Sequence, residues 1–259
     1  MSGHSKWSTI KRAKGVADVK RGLTFTKVAN AISIAARVGG SGDVESNPRL
    51  RTVFEEARAV NMPKENIQRA IDRGLGKLPG QILEEVIYEG FGPGKVAFIV
   101  EGLTDNKLRT TSEIRNIFEK SGGNLGGQGS TAYMFDKIGE IKVKSKGGNS
   151  EEEMLELIDL GAEDVEDINE GTLPAGRQDI QSYLVYVESP ELNTMGTKIT
   201  QAGFGMQSQE IIMRPKILQQ ITDKETAEKV LEFAGKMEDH DDVQKVYTNF
   251  DIAENLLED

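Results

Sequence analysis

The sequence contains no cysteine and only two histidines, His4 and His240. Without thiols there can be no disulfide and no thiolate metal site, and two histidines are too few for a histidine-rich metal centre. No apolar run approaches the roughly 20 residues that span a bilayer, and Met1–Trp7 lacks the apolar region of a secretory signal. These absences predict a cytoplasmic protein with no membrane partner, no metal and no other cofactor.

Acidic residues are scarce in the first third of the chain and abundant in the rest. The 259 residues carry a net charge of -10. Residues 1–80 contain 15 Lys and Arg against 7 Asp and Glu, whereas residues 81–259 contain 17 against 35. A basic segment of this density is typical of proteins that bind phosphate groups. We therefore predict a nucleic-acid-binding N-terminal segment, and we interpret the acidic remainder as a means of solubility.

Three apolar stripes with helical spacing lie in the basic segment. The first begins at Phe25 and stops at Gly39–Gly40, the second follows the cap at Asn47–Pro48, and the third follows Pro63. A polar basic arm of about twenty residues precedes them. Residues 1–80 are therefore predicted to form a three-helix domain.

Beyond residue 80 the hydrophobic period changes to that of strands, and strands alternate with capped helices. Residues 81–137 lack one helix and one strand of a complete two-layer domain, and residues 215–259 are too few to bury a core alone. We therefore predict an α+β fold with two ferredoxin-like α/β domains. One comprises residues 81–137 with 215–259, and the other, residues 138–214, is inserted into it.

Capping residues and β-branched runs locate the individual elements. Three capping-box patterns predict helix starts at Thr110, Ser150 and Thr222, each with a glutamate three residues later. A further helix is expected from Ser189–Pro190. Strands are predicted at Val86–Glu89, Val96–Val100, Thr131–Phe135, Glu140–Val143, Asp164–Ile168, Tyr183–Val187, Gln209–Met213 and Val243–Tyr247.

Two glycine-rich stretches invite comparison with nucleotide-binding loops. Gly90–Val96 has three rather than four residues between the P-loop glycines and no hydroxyl for magnesium, so we interpret it as a hairpin turn. Ser121–Ser130 follows a helix and precedes a strand, the reverse of the dinucleotide fingerprint. We interpret it as a loop that lets a partner approach closely, and we expect no small-molecule ligand. Its candidate partner-binding residues are Asn124, Gly126, Gly129 and Ser130.

Carboxylates and an imidazole meet in Glu238–Asp242, but this run lacks the ligand pattern and the glycine of a calcium loop. We interpret it as a solvated acidic turn. No catalytic constellation of Ser, His and Asp can be assembled, because His4 lies in the basic arm and His240 lies in this turn. The sequence therefore predicts a protein that is not an enzyme.

The candidate nucleic-acid-binding residues are mostly basic. Trp7 lies in a polar run without periodicity, so base stacking and packing are both open, whereas Phe25 belongs to an apolar stripe and is expected in the core. The helix that follows Asn47 carries Glu55 and Glu56, which would face phosphates badly in a DNA major groove, and this favours RNA. The candidates are Lys6, Trp7, Lys11, Arg12, Lys14, Lys20, Arg21, Lys27, Arg49 and Arg51.

Several ordered motifs resemble the YebC family of transcriptional regulators and translation factors, and they extend over nearly the whole chain. They are Ser2–Trp7, Lys20–Gly22, Phe25–Lys27, Asn47–Arg51, Tyr88–Gly94, Asp105–Asn106, Arg109–Thr110, Gly122–Gly126, Gly129–Ser130, Gly161–Asp164, Asp239–Gln244 and Val246–Tyr247.

The resemblance implies a helical N-terminal domain, two α/β domains and a non-enzymatic role. Family members are described as DNA-binding transcriptional regulators or as ribosome-associated factors that relieve stalling on proline-rich nascent peptides. The family's basic motif falls on Lys6, Trp7, Lys11, Lys20, Arg21, Lys27, Arg49 and Arg51, with looser spacing at Ile10–Lys14. We predict a translation factor that binds the ribosome through ribosomal RNA. The alternative is a transcriptional regulator that binds duplex DNA.

Overall fold

The computed structural model describes residues 20–78, 83–168 and 181–252. It has the predicted α+β architecture, with N-terminal helices and two ferredoxin-like antiparallel sheets, the second inserted into the first. One compact unit is Phe135–Lys216, and the residues on either side of it form the other. The division into three domains stays a prediction. No helix within the three described ranges is long and apolar enough to cross a membrane.

Within residues 20–78, three helices form a bundle: α1, Lys20–Gly39; α2, Pro48–Ala59; and α3, Lys64–Gly74. Their apolar faces meet in one core, with Phe25 packed against it and partly buried, as its place on the stripe predicted. A Cβ at Gly74 would lie 2.1 Å from the carbonyl oxygen of Ser33. Helices α1 and α3 therefore approach each other at a distance that only glycine permits.

The buried side chain of Asn47 joins the end of α1 to the start of α2. Its Oδ1 accepts a hydrogen bond from the backbone N–H of Leu50 at 3.1 Å, which makes Asn47 the N-cap of α2. Its Nδ2 donates to the carbonyl oxygens of Ala35 and Ser41 at 2.9 and 3.0 Å. The predicted Asn47–Pro48 cap is therefore confirmed, and the cap also satisfies a carbonyl near the end of the preceding helix.

The first sheet contains β1 (Glu84–Phe91), β2 (Ala97–Thr104), β3 (Asn124–Leu125) and β9 (Val243–Thr248), in the order β3-β1-β2-β9. Helices α4 (Lys107–Lys120) and α7 (Lys224–Glu238) share its core. Within that core the rings of Phe98 and Phe118 both meet the ring of Phe233 edge to face, with centroids 4.7 and 4.9 Å away. Two short strands, β8 (Gln219–Ile221) and β10 (Phe250–Ile252), pair in parallel as a separate two-stranded sheet. In the chain, β8 precedes α7 and β10 follows β9. As predicted, the C-terminal residues supply the helix and strand that the middle segment lacks.

The inserted unit follows the predicted β-α-β-β-α-β order. Its strands are β4 (Phe135–Lys144), β5 (Asp164–Ile168), β6 (Ser182–Glu188) and β7 (Gly205–Pro215), arranged as β5-β6-β4-β7. Helices α5 (Ser150–Asp159) and α6 (Leu192–Gln201) pack with the sheet around a core that includes Ile141, Leu157, Val185 and Ile199.

The predicted strand at Thr131–Phe135 is wrong. Residues Ala132–Met134 form a short 3-10 turn, Phe135 begins β4, and the strand that pairs with β1 is Asn124–Leu125. The reason is a distant acid. The carboxylate of Glu89 accepts hydrogen bonds from the backbone N–H groups of Thr131 and Ala132. These two N–H groups are therefore not available for pairing with a neighbouring strand.

The three predicted capping boxes are also wrong in detail, because a different residue, an Asn or Asp nearby in the chain, caps each helix. Asn106 accepts from Arg109 N at 3.1 Å, Asn149 from Glu151 N at 2.9 Å, and Asp223 from Thr226 N at 2.8 Å. Asn and Asp are stronger N-caps than Thr, and at least equal to Ser. The predicted Thr110, Ser150 and Thr222 are therefore not the caps.

Asn47 and Asn106 are both N-caps, but only Asn47 also donates hydrogen bonds from a buried side chain. Alanine at each position therefore separates the effect of those buried hydrogen bonds from the effect of capping. Asn47→Ala should lower the free energy of unfolding by about 3 kcal/mol, because it removes a cap and both hydrogen bonds that Nδ2 donates to carbonyl oxygens. Asn106→Ala removes only an exposed cap and should cost about 1 kcal/mol. Urea unfolding of both variants measures the difference. Equal losses would contradict the role assigned to the Asn47 amide.

Candidate nucleic-acid interface

The candidate basic residues lie partly within the described structure. Lys20 and Arg21 are in the first turn of α1, and Lys27 follows on the same helix. Arg49 and Arg51 are on α2. The residues outside the described ranges are Lys6, Trp7, Lys11, Arg12 and Lys14.

Three of the candidates, Lys27, Arg49 and Arg51, already bond to other residues of the chain. Lys27 donates to the backbone oxygen of Glu238, and Arg49 forms an ion pair with Glu85, so both join the bundle to the first sheet domain. Arg51 donates to the carbonyl oxygens of Val44 and Glu45 at 3.3 and 2.7 Å. The side chains of Arg49 and Arg51 stay 50% and 51% exposed. Their assignment to nucleic acid remains a prediction, and part of their donor capacity is already used.

Two basic residues that sequence reasoning did not select are more available. Lys64 and Arg69 lie exposed on α3, and within the described residues neither makes a hydrogen bond or an ion pair. Arg37, in the last turn of α1, is also exposed, and its side chain makes no hydrogen bond and no ion pair in the described residues, although its charge acts on Glu84. All three belong to the basic segment of residues 1–80, so the charge count included them, although no motif singled out Lys64 or Arg69.

Arg73 clamps α3 onto α1. Its Nη2 donates to Asn30 Oδ1 at 2.7 Å and its Nε donates to Ser33 Oγ at 3.1 Å. Burial lowers the pKa of the Arg73 guanidinium, and the charge of Asp105 partly opposes that shift. The group is still charged at neutral pH, because arginine is effectively always protonated in proteins. Arg73 therefore adds positive charge at the seam between the two helices.

The two glycine-rich stretches, which lie far apart in sequence, pack directly against each other. A Cβ at Gly90 would meet the carbonyl oxygen of Asn124 at 2.5 Å, and a Cβ at Gly123 would meet that of Phe91 at 2.6 Å. These backbones can approach so closely only because both positions are glycine. Residues Gly90–Lys95 and Ser121–Tyr133 therefore form one feature, the glycine-loop surface.

The carboxylate of Glu89, 5% exposed, holds this loop from inside. Its Oε1 accepts from Gly129 N at 2.8 Å, and its Oε2 accepts from Thr131 N and Ala132 N at 2.9 and 2.7 Å. Burial alone would raise the pKa of Glu89, but these hydrogen bonds outweigh it and hold the pKa below its ordinary value. The N–H groups of Gly129, Thr131 and Ala132 thus face an acid of the protein itself and are not available to a phosphate.

The four candidate loop residues differ in what they present to solvent. Asn124 and Gly129 are exposed. Gly126 faces inward, because a Cβ there would lie 2.3 Å from Ser130 Oγ, and that hydroxyl oxygen is itself buried with no hydrogen-bond partner among the described residues. Their assignment as partner-binding residues remains a prediction. Sequence reasoning missed Tyr133, which is 67% exposed at the end of the loop.

The prediction of a solvated acidic turn is wrong for Asp242, whose side chain is only 13% exposed. Its Oδ2 accepts from Thr110 Oγ1 at 2.6 Å and from Arg109 Nη2 at 2.8 Å. Burial alone would raise the pKa of Asp242, but these two donors and the Arg109 charge hold it below the ordinary value. Asp242 therefore clasps the start of β9 to α4.

His240 completes this clasp. Its Nδ1 accepts from the backbone N–H of Asp242 at 3.1 Å, so in the neutral ring the proton is on Nε2, which lies 3.1 Å from Glu113 Oε2. Ligand atoms of Glu113, His240 and Asp242 lie within 4.8 Å of one another, a spacing that could hold a metal ion. Hydrogen bonds within the chain account for this spacing, and we assign the cluster a structural role.

Comparison with known proteins gives matches over nearly the whole chain. Residues 5–77 match the family described as the TACO1/YebC protein N-terminal domain, and residues 83–250 match the TACO1/YebC second and third domain. A probable transcriptional regulatory protein of Sulfurihydrogenibium sp. (strain YO3AOP1) is 48% identical, over 100% of this chain and 98% of that protein. One from Desulfotalea psychrophila is 44% identical over the same shares. The crystal structure of the conserved hypothetical protein Aq1575 from Aquifex aeolicus matches with a TM-score of 0.79 and 41% identity, over 93% of this chain and 95% of that one.

The hold of Glu89 on the loop predicts a pH-dependent loss of stability. Because folding lowers the pKa of Glu89, its contribution is present above the unfolded pKa of about 4.3 and is lost as pH falls through the lower folded pKa. Glu89→Gln should therefore lower the free energy of unfolding at pH 7 by about 2 kcal/mol. The gap to the unaltered protein should narrow below about pH 4.

Denaturant unfolding at pH 7 and pH 3.5 measures that gap. Glu119→Gln, at an exposed glutamate with no hydrogen bond or ion pair in the described part of the chain, is the control and should change stability by less than about 0.5 kcal/mol. A gap that stays constant with pH would contradict the charged state assigned to Glu89.

Proposed function

This chain belongs to the TACO1/YebC family, and from that membership we propose that it is a non-enzymatic regulator of gene expression that binds nucleic acid. We further propose that it acts as a translation factor, which binds the ribosome through ribosomal RNA and relieves stalling on proline-rich nascent peptides. The observation that carries the proposal is the segregation of charge, with 15 basic and 7 acidic residues in residues 1–80. A segment of this kind attracts phosphates, whereas the acidic remainder repels them.

The bundle supports a phosphate-binding role beyond the arm. Lys64 and Arg69 are exposed on α3 without a carboxylate partner in the described residues, and Arg37 is exposed in the last turn of α1. A cation without a partner can bind a phosphate without first losing an ion pair. The N-terminal domain therefore offers positive charge both in its arm and on its folded surface.

The contacts of α2 favour RNA over a helix inserted into duplex DNA. Each of its three arginines pairs with an acid: Arg49 with Glu85, Arg51 with Glu45 at 3.9 Å, and Arg58 with Glu55 at 3.1 Å. A recognition helix needs several side chains that can reach base edges in the major groove. With its arginines paired and its own carboxylates exposed, α2 is poorly suited to that task.

A second candidate is a transcriptional regulator that binds duplex DNA. It is favoured by the names of the relatives, which are called probable transcriptional regulatory proteins. The two proposals share the basic N-terminal segment and differ in the nucleic acid that it binds.

Ribosome sedimentation with the purified protein, beside a duplex-DNA binding assay in the same buffers, distinguishes the two. We expect the protein to pellet with ribosomes at low salt and to be released as salt rises, because each phosphate contact releases counterions. Tight, sequence-selective duplex binding without ribosome association would contradict the translation-factor proposal.

Charge reversal in the arm tests which residues make the contacts. Lys6→Glu with Lys11→Glu should weaken ribosome binding and make the plot of log affinity against log salt shallower by about 1.5 units, for two lost phosphate contacts. Lys144→Glu with Lys224→Glu is the control, since both lysines are exposed and have no partner in the described residues. Equal effects of the two double variants would mean that only net charge matters and that the arm is not the contact.

A further inference from the structure

Lys95 adopts a backbone conformation that is unfavourable for its residue type. Its φ is 58°, in the left-handed region that glycine and asparagine enter far more readily than lysine. Its side chain is exposed, and within the described residues the ammonium makes no hydrogen bond and no ion pair. Among the described residues, no hydrogen bond or ion pair of this side chain offsets the strain. A strained residue of this kind is a reason to look for a function.

Gly127 is a glycine that the fold does not require. Its φ lies outside the left-handed region, and a Cβ there would meet nothing within 4 Å. The turn that it starts is closed by a hydrogen bond from Ser130 N to its carbonyl oxygen at 3.1 Å, which any residue could accept. In the described structure the backbone N–H groups of Gly127 and Gln128 make no hydrogen bond. A side chain would fit at residue 127, yet its absence leaves two amide donors uncovered.

The chemistry of the glycine-loop surface is that of a cation, amide donors and an aromatic ring. Residues 121–134 contain no charged side chain, although residues 81–259 contain 35 acids. Glu89, the acid that accepts hydrogen bonds from the loop, is buried, and its carboxylate is directed inward. Tyr133 is largely exposed at the end of the loop. This part of an acidic region thus exposes a lysine, backbone donors and an aromatic ring to solvent, and its residues 121–134 carry no carboxylate.

We propose that the glycine-loop surface is a second RNA contact, which binds a single-stranded segment of ribosomal RNA. Lys95 and the amides of Gly127 and Gln128 bind the phosphate backbone, and Tyr133 stacks on a base. The glycine at residue 127 lets the phosphate reach the backbone. This inference rests on the proposed function, because it assigns a contact to the same ribosome-bound state.

Preorganisation favours this role. The three hydrogen bonds to Glu89 and the backbone packing of Gly90 and Gly123 fix the loop before any partner binds, so binding loses little conformational entropy. The surface does not resemble the centre of a protein–protein interface, because Tyr133 is its one large exposed side chain among residues 121–134 and its other exposed groups are polar or glycine. RNA, recognised through phosphates and one stacked base, fits these groups better than a protein does.

Two glycines that each have room for a Cβ provide a matched test. Gly235 on α7, like Gly127, has no left-handed φ, and a Cβ there would also meet nothing within 4 Å. Gly127→Ala should fold normally and weaken binding to purified ribosomes at least about fivefold, because the added methyl group obstructs close approach. Gly235→Ala should leave ribosome affinity unchanged and raise the Tm, because alanine is the better helix former.

Substitutions of Lys95 test both its charge and its backbone conformation. Lys95→Gly should raise the Tm, because it relieves the strained φ, and yet reduce ribosome affinity and the salt dependence by about one phosphate contact. Lys95→Arg should keep both near those of the unaltered protein. Ultraviolet cross-linking of the full chain to ribosomes, followed by peptide mapping, should place an RNA adduct on the peptide that contains Tyr133.

The outcomes separate this inference from the function on which it rests. No ribosome binding by the unaltered protein would overturn both. Ribosome binding that Gly127→Ala and Lys95→Gly leave intact would overturn only the loop contact. Weakened binding with a protein adduct instead of an RNA adduct at Tyr133 would overturn RNA as the occupant and assign the surface to a ribosomal protein.

Discussion

The glycine-loop surface depends on the burial of one carboxylate, that of Glu89. Burial of a charge costs several kcal/mol unless hydrogen bonds replace its water, and here three backbone N–H groups do so. The same bonds determine the path of the chain after β3 and prevent residues 131–134 from extending as a strand. Because the carboxylate is directed inward, the loop that it holds shows no negative charge to a partner.

Basic and acidic residues are segregated along the chain, and the glycine-loop surface lies within the acidic part. Residues 1–80 are basic and residues 81–259 are acidic, so we expect nucleic acid to be attracted to one end of the sequence and repelled from most of the remainder. The glycine-loop surface is an exception within the acidic part, since it has Lys95 and uncharged donors in place of acids. Two separated contacts on one ligand would bind more tightly than either alone.

Local patterns in the sequence predicted most helices and strands. The predictions that failed depended on contacts between residues far apart in the chain. Helical periodicity and the Asn47–Pro48 cap located the bundle, and the chain order of strands and helices identified the ferredoxin-like insertion. The false strand at Thr131–Phe135 and the supposedly solvated Asp242 both failed because their partners, Glu89 and Thr110, lie 42 and 132 residues away. The charge of the candidate site was visible, but neither the left-handed φ of Lys95 nor the ion pair of Arg49 with Glu85 has a local signature.

The central claim is that the physiological ligand is ribosomal RNA bound by the basic N-terminal segment. Ultraviolet cross-linking in living cells, with sequencing of the attached nucleic acid and mapping of the modified peptides, tests it most directly. We expect ribosomal RNA to dominate the attached nucleic acid and the adducts to concentrate on peptides from residues 1–80. Predominant attachment to DNA, or ribosomal RNA adducts confined to residues beyond 80, would contradict it.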